Sequence, residues 1–183
     1  MTSSAQLQAP TVEQNALAPS PRGVRENAQG GVRQAVLADV PCIAAMRLAF
    51  IQQTKTLTSG KRAEVLESQT KMFKKGIQDG SMLLWVYEYD NKIVGSAGLL
   101  LRGTSGSASD KAYRKARHAE LFAVYTDTSF RHHGVGTALV KVALLEARMR
   151  GLEKVTLQPT DDSINLYRSL GFCGDSSHMS LKT

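Results

Sequence analysis

Residues 120–141 read ELFAVYTDTSFRHHGVGTALVK, and the hydrophobic period changes in the middle of that stretch. Leu121 to Tyr125 is a short apolar run with β-branched and aromatic members, the pattern of a buried strand. Thr126 to Ser129 is a polar turn. After Arg131-His132-His133-Gly134-Val135-Gly136 a helical pattern opens at once, with Val135, Ala138, Leu139, Val142 and Leu145 expected on one face. The order is therefore strand, turn, glycine-rich helix entry.

That junction suits an anion. The first N–H groups of a helix lack intrahelical partners and sit at the positive end of its dipole. Gly134 and Gly136 allow close approach, and Arg131 adds a phosphate-matched fork. A pyrophosphate cradle is one reading; easier helix–sheet packing at the two glycines is the other. The stretch is neither a P-loop nor a G-x-G-x-x-G dinucleotide site.

Arg131-x-x-Gly134-x-Gly136 after an apolar strand resembles the acetyl-CoA signature of the GNAT superfamily of N-acetyltransferases. Leu166-Tyr167-Arg168-Ser169-Leu170-Gly171-Phe172 is similar to that family's L-Y-x-x-L-G-F ending, and Val124-Tyr125-Thr126 also resembles family members. The likeness covers about residues 32–183 by element order and is specific from Glu120 to Phe172. It implies an α/β (α+β) fold: a mixed, mostly antiparallel sheet with about four helices and a splayed central cleft. It implies acetyl-CoA as co-substrate, held by Val124, Tyr125, Thr126, Arg131, His132, His133, Gly134, Val135, Gly136 and Thr137. It implies that the pantetheine arm lies along the central strand beside a bulge, and that the first two helices flank the acceptor.

Acetyl transfer to an amine needs a polarised carbonyl, a deprotonated amine and a proton for the leaving thiolate. Tyr167 matches the family's general acid; packing of the last helix is its other reading. Glu120 sits where many members carry an acidic residue, and is the candidate general base. Equally, it can be a strand glutamate paired with Arg117 or Lys154. On a regular strand Glu120, Phe122 and Val124 share a face. Glu88 is the reserve base and His118 a weaker one. Two departures from the family stand out. Threonine replaces a frequent proline at Thr128, and Asp161 lies nearest the place of a common asparagine, which puts a contact from that residue to the CoA arm in doubt.

Composition sets the outer bounds. The chain has 183 residues, 42% hydrophobic, and a net charge of +7 from 23 basic and 16 acidic side chains. That describes one core-forming domain with a basic excess suited to a polyanionic ligand. Residues 1–31 are rich in Ser, Ala, Gln, Pro and Gly and read as a disordered tail before a domain of residues 32–183. The tail's charges cancel, so the excess belongs to the domain. Cys42 and Cys173 show no C-x-x-C and read as reduced, buried thiols of a cytosolic protein. The four histidines lack metal spacing, so no metal is expected. No run approaches a membrane span, and neither a secretory nor a mitochondrial leader is read at the N-terminus. The expected location is cytoplasmic, with no membrane partner.

Along the chain, Val32–Val36 reads as a first strand. Asp39 is expected to cap a helix carrying Pro41 in its first turn and Ile43, Met46, Arg47, Phe50 and Ile51 along a face. A polar break follows at 54–61, then a second helix over 62–78 with Val65, Leu66, Met72 and Phe73 inward. Two strands, 81–89 and 92–101, form a hairpin about Asp90-Asn91. Gly95 and Gly98 mark close packing, a bulge or a ligand approach. Lys111 to Arg117 is a basic cluster, read as a solvated segment, as a site near the acceptor, or as a nucleic-acid contact. Lys154–Gln158 is a further strand. Asp161, Asp162 or Ser163 caps a short helix with Ile164, Tyr167 and Leu170 inward and Gly171 at its end. A last hairpin starts at Phe172.

The leading expectation is an acetyl-CoA-dependent acyltransferase acting on a primary amine of a small molecule or peptide. Nucleic acid is not expected as a partner, and a homodimer is left open. The alternatives are a non-catalytic acyl-CoA-binding module and a basic nucleic-acid-binding accessory.

Overall fold

The computed structural model describes residues 30–102 and 117–183. The described strands form one sheet in the order β1-β2-β3-β4-β5-β7-β6. They are β1 (Gly30–Gln34), β2 (Met82–Tyr89), β3 (Lys92–Arg102), β4 (His118–Thr126), β5 (Lys154–Leu157), β6 (Cys173–Gly174) and β7 (Met179–Lys182). The described helices are α1 (Val40–Thr54), α2 (Ser59–Asp79), α3 (Val135–Met149) and α4 (Ile164–Ser169). β4 and β5 run parallel and the other described pairs run antiparallel, as the family resemblance implies.

Alternation along the strands builds two cores, one per face. Leu84, Val86 and Ala123 meet Val40, Ile43, Ala44 and Phe73 from α1 and α2. Phe73 is fully buried and its ring lies 6.1 Å from that of Phe122. On the other face Leu83, Trp85, Leu99 and Leu121 meet Val135, Leu139, Val140, Ala143 and Leu144 of α3. The face of α3 runs through Val135, Leu139 and Ala143, with Val142 packed at its edge as expected, while Leu145 lies off it. Leu145 is 55% exposed, because it lies about 100° round the helix from Leu144.

Several boundaries and caps differ from those expected. Gly30 and Gly31 belong to β1, whose ladder runs from Gly30–Tyr89 to Gln34–Trp85, so the strand begins inside the stretch that composition assigned to the tail. Residues 1–29 and 103–116 lie outside the described residues. The expected tail and most of the basic cluster fall there, including Lys111, Arg114 and Lys115. Asp39 precedes α1 but makes no forward cap. Its carboxylate is taken by Arg33, at 2.7 and 3.0 Å, and by the Val36 N–H at 2.8 Å. α2 starts three residues early because Thr58 caps it, its hydroxyl accepting from the Lys61 N–H. Leu66, expected inward, is exposed, since this first half of α2 extends past the sheet core. Asp90 and Asn91 both take left-handed backbone, as a two-residue hairpin turn requires. The N-cap of α4 is Ser163, one of the three residues expected, though it makes no forward cap; the 3-10 turn before it is closed from Thr160, whose N–H donates to the Ser163 hydroxyl at 2.9 Å. Cys173 is exposed on the two-residue edge strand β6 and Cys42 is half-buried, so neither is a core thiol.

Candidate functional site

β4 is joined to β5 only at its start. The ladder pairs His118 with Lys154, Ala119 with Val155 and Glu120 with Thr156, and then stops. Among the described residues no strand pairs with the β5-facing edge of β4 from Leu121 onward, so β4 and β5 part there, the place where the resemblance implies a cleft. Unpaired strand edges are templates for an extended ligand.

β4 is also bulged. Ser96 faces Tyr125 and Gly98 faces Phe122, so Ala97 alone opposes both Ala123 and Val124. Ala123 takes left-handed backbone at φ 50°, which absorbs the extra residue. The fully buried Ser96 holds it there, its hydroxyl donating to the Ala123 carbonyl at 2.9 Å. The bulge changes which way the strand's side chains face. Glu120 and Phe122 lie on the α1–α2 side, whereas Val124 packs with the α3 core. The expectation that Glu120, Phe122 and Val124 share a face is corrected by that one inserted residue.

The turn after β4 brings α3 to the mouth of the cleft. Asp127 accepts from the Ser129 N–H, and Arg131 donates through Nε to the Thr126 carbonyl at 3.2 Å. The His133 ring Nδ1 lies 2.7 Å from the Arg131 carbonyl oxygen. His132 and Gly134 both have positive φ, 62° and 81°, which turns the chain sharply into the helix. Gly134 is the N-cap residue with no capping side chain, and the first helical bond runs from the Ala138 N–H to its carbonyl. The amides of Val135, Gly136 and Thr137 are therefore available to a ligand. Val135 offers only its backbone. Its side chain is buried against Gly95, where a built Cβ would lie 2.9 Å from Val135 Cγ1 and 3.0 Å from Leu139 Cδ1. Gly95 thus serves close packing, the packing alternative among its expected roles.

Gly136 faces the cleft. A Cβ built on it would lie 3.6 Å from Thr126 Oγ1 on β4 and 3.6 Å from Leu166 Cδ2 on α4. It would fill space between the two elements without striking either. Tyr167, the next residue on α4, is buried at 6% exposure and packs edge-on against Phe172 with 5.8 Å between rings. Burial pushes its phenol up to about 12, and the Ser163 hydroxyl partly offsets that. It stays protonated throughout the neutral range.

Glu120 occupies the last paired position of β4, where β4 and β5 part. It pairs with Arg102 on β3 at 2.5 Å rather than with Arg117 or Lys154. Arg117 instead pairs with Glu153. Glu88 is held by Arg33 on the β1 side of the sheet, two strands from β4, and so is committed elsewhere. His118 is exposed at the first residue of β4. Sequence reasoning passed over Ser96, whose only signal is a lone hydroxyl between Gly95 and Gly98. Among the described residues no group of three or more His, Cys, Asp or Glu can hold a metal, and no helix is long and apolar enough to cross a membrane.

The same architecture recurs in proteins of known family. The acetyltransferase (GNAT) family model matches residues 50–172, and the chain belongs to that family. Human N-acetyltransferase 8B is 31% identical over 102 residues, 54% of this chain and 42% of the relative. The chain thus spans less than half the length of that relative. The uncharacterized N-acetyltransferase YjgM of Escherichia coli K12 is 27% identical over 77% of this chain and 80% of its own. A predicted acetyltransferase with acetyl-CoA from Clostridium acetobutylicum superposes with a TM-score of 0.66 at 17% identity, covering 80% of this chain and 92% of its own.

Proposed function

We propose that this protein moves an acetyl group from acetyl-CoA directly to a primary amine of a small molecule or peptide. The observation that carries the reading is the gap at Gly136. The open amides of α3, the unpaired edge of β4 and the side of α4 face one space that even a single Cβ would enter. The residues fit CoA: Arg131, with its Nη groups beyond the tethered Nε, and the amides of 135–137 suit a pyrophosphate. Val124, Tyr125 and Thr126 offer their backbone to the pantetheine amides. His132 and His133 flank the diphosphate at the exposed mouth. The Clostridium neighbour's acetyl-CoA supports the same assignment.

In this reading Glu120 takes a proton from the incoming ammonium, directly or through water. The amine nitrogen bonds to the thioester carbon, the C–S bond breaks, and Tyr167 gives its proton to the departing sulfur. The nitrogen, which still carries two hydrogens after attack, loses the second to solvent as the intermediate collapses. Glu120 returns its own proton to solvent and the phenolate takes one back, so the products are amide, free thiol and one net released proton. Burial keeps the phenol protonated at neutral pH but makes it a weaker acid. Transfer to sulfur is therefore driven by the thiolate charge that develops as the C–S bond breaks, and the phenolate's return to the protonated state is favourable.

The test is thiol release from acetyl-CoA across a panel of amines, with wild type and Gly136→Val compared. Valine should raise the apparent constant for acetyl-CoA at least tenfold and leave that for the amine nearly unchanged. Unaltered CoA affinity in a folded Gly136→Val would sink the cradle. An acyl-CoA-binding module would bind CoA yet release no thiol with any amine.

A further inference from the structure

α1 seats itself on the sheet through a stripe at helical spacing, Val40, Ile43 and Ala44, each fully buried. The next position on that stripe, one turn on, is an arginine. Arg47 is half-buried, with its guanidinium carbon 5.0 Å from the centroid of the Phe50 ring. Among the described residues it makes no ion pair and no hydrogen bond. Burial lowers the pKa of its guanidinium, and the charge that opposes this is Glu120. Glu120 is itself committed to Arg102. Among the described residues, the corner where α1 overlies the end of the β4–β5 ladder thus holds two guanidiniums and one carboxylate, a net single positive charge with one fork unspent. A half-desolvated cation whose contact is an aromatic face rather than a carboxylate or hydrogen-bond acceptor carries a standing cost that an incoming anion removes.

We infer that Arg47 selects an acceptor carrying a carboxylate beside its amine, the chemistry of an α-amino acid or a related amino carboxylate. This rests on the acetyl-transfer reading above and names the acceptor class for that same site. The carboxylate takes the Arg47 fork while the amine faces Glu120. An acceptor without the carboxylate leaves the guanidinium desolvated and unpaired, and discrimination arises from that loss.

The experiment measures thiol release with α-amino acids, their primary amides and their decarboxylated amines, matched by side chain. Wild type, Arg47→Gln and Arg47→Lys are compared. Wild type should prefer the carboxylates over the amides by about tenfold or more in kcat/KM, the scale of a charged hydrogen bond. Arg47→Gln should bring that ratio toward one without changing CoA affinity, and Arg47→Lys should keep part of it. Circular dichroism and CoA binding establish that each variant is folded. Equal use of carboxylates and amides by wild type, or a preference that survives in Arg47→Gln, overturns the inference while leaving acetyl transfer standing. CoA binding with no thiol release from any member of the three sets removes the transfer reading, and this inference with it.

Discussion

Ala123 decides what the residues around it can do. Its left-handed backbone turns Val124 to the α3 side and leaves Glu120 and Phe122 toward α1 and α2. Without that residue the pattern of β4 would continue in step and Val124 would share a face with Glu120 and Phe122. Tyr167 reaches the problem from α4. The Tyr167→Phe variant keeps the ring and its edge-on packing on Phe172 but loses the proton. A group acting as C–S bond cleavage proceeds affects kcat and leaves KM for acetyl-CoA little changed. The expected fall in kcat is about 10²–10⁴-fold where chemistry limits turnover. Stopped-flow thiol release checks it, with Tm as the control for folding. Wild-type turnover in Tyr167→Phe, alongside an inactive Glu120→Gln, would move the burden to amine deprotonation and positioning.

At the scale of elements, β1, α1 and β2 are clamped by a single side chain. Arg33 binds Asp39 through two bonds and Glu88 through a third. The Arg33 fork, followed by the Val36 amide, holds the Asp39 carboxyl below its ordinary value, against the opposing effect of burial. A carboxyl whose folded value is depressed contributes stability above its unfolded pKa, about 3.9, and loses it as pH falls through the folded value. Acid should therefore loosen the docking of α1 below about pH 4. The Asp39→Asn variant should cost about 1–3 kcal/mol at neutral pH, the scale of charged hydrogen bonds to a buried group. It should also flatten the acid limb of a urea-midpoint against pH plot, and an unchanged limb would show that other carboxyls govern it. This clamp was not legible beforehand. Asp39 ahead of Pro41 has the form of a helix cap, and only the ladder of β1 on β2 brings Arg33 within reach. Strand–turn–helix at Leu121–Val135 was legible because its period changes sharply. The resemblance implied a bulge on this strand, but its place at Ala123 was not legible, since an apolar run buried on both faces has no alternation to break. The pairing of Glu120 with Arg102 rests on register, which a single strand's sequence does not specify.

As a whole, the molecule is a sheet in two parts, β1 to β4 and β5, β7 and β6, joined at three ladder positions between β4 and β5. Beneath that seam α3 and the core around Leu121, Leu139, Val155 and Tyr167 carry the cohesion. A ligand lying between β4 and α4 would touch both parts, so binding and stability should be linked across the whole fold. Anything that binds only the native state adds RT ln(1 + [L]/Kd), about 2.7 kcal/mol at a concentration of 100 Kd. For a domain of this size that corresponds to a rise in Tm of about 5–10 °C. Differential scanning calorimetry with CoA titrated from below to far above its Kd checks the expectation. In Gly136→Val the ligand-free Tm should change little, because a Cβ there meets its neighbours at 3.6 Å, ordinary contact. The CoA-induced rise should shrink, because the added branch stands in the gap. Adenosine, which lacks both pyrophosphate and pantetheine, should give almost no rise in either protein. A Tm that stays within about 1 °C at every CoA concentration tried would mean that CoA does not bind the native fold, and the cleft between β4 and α4 would lose its role.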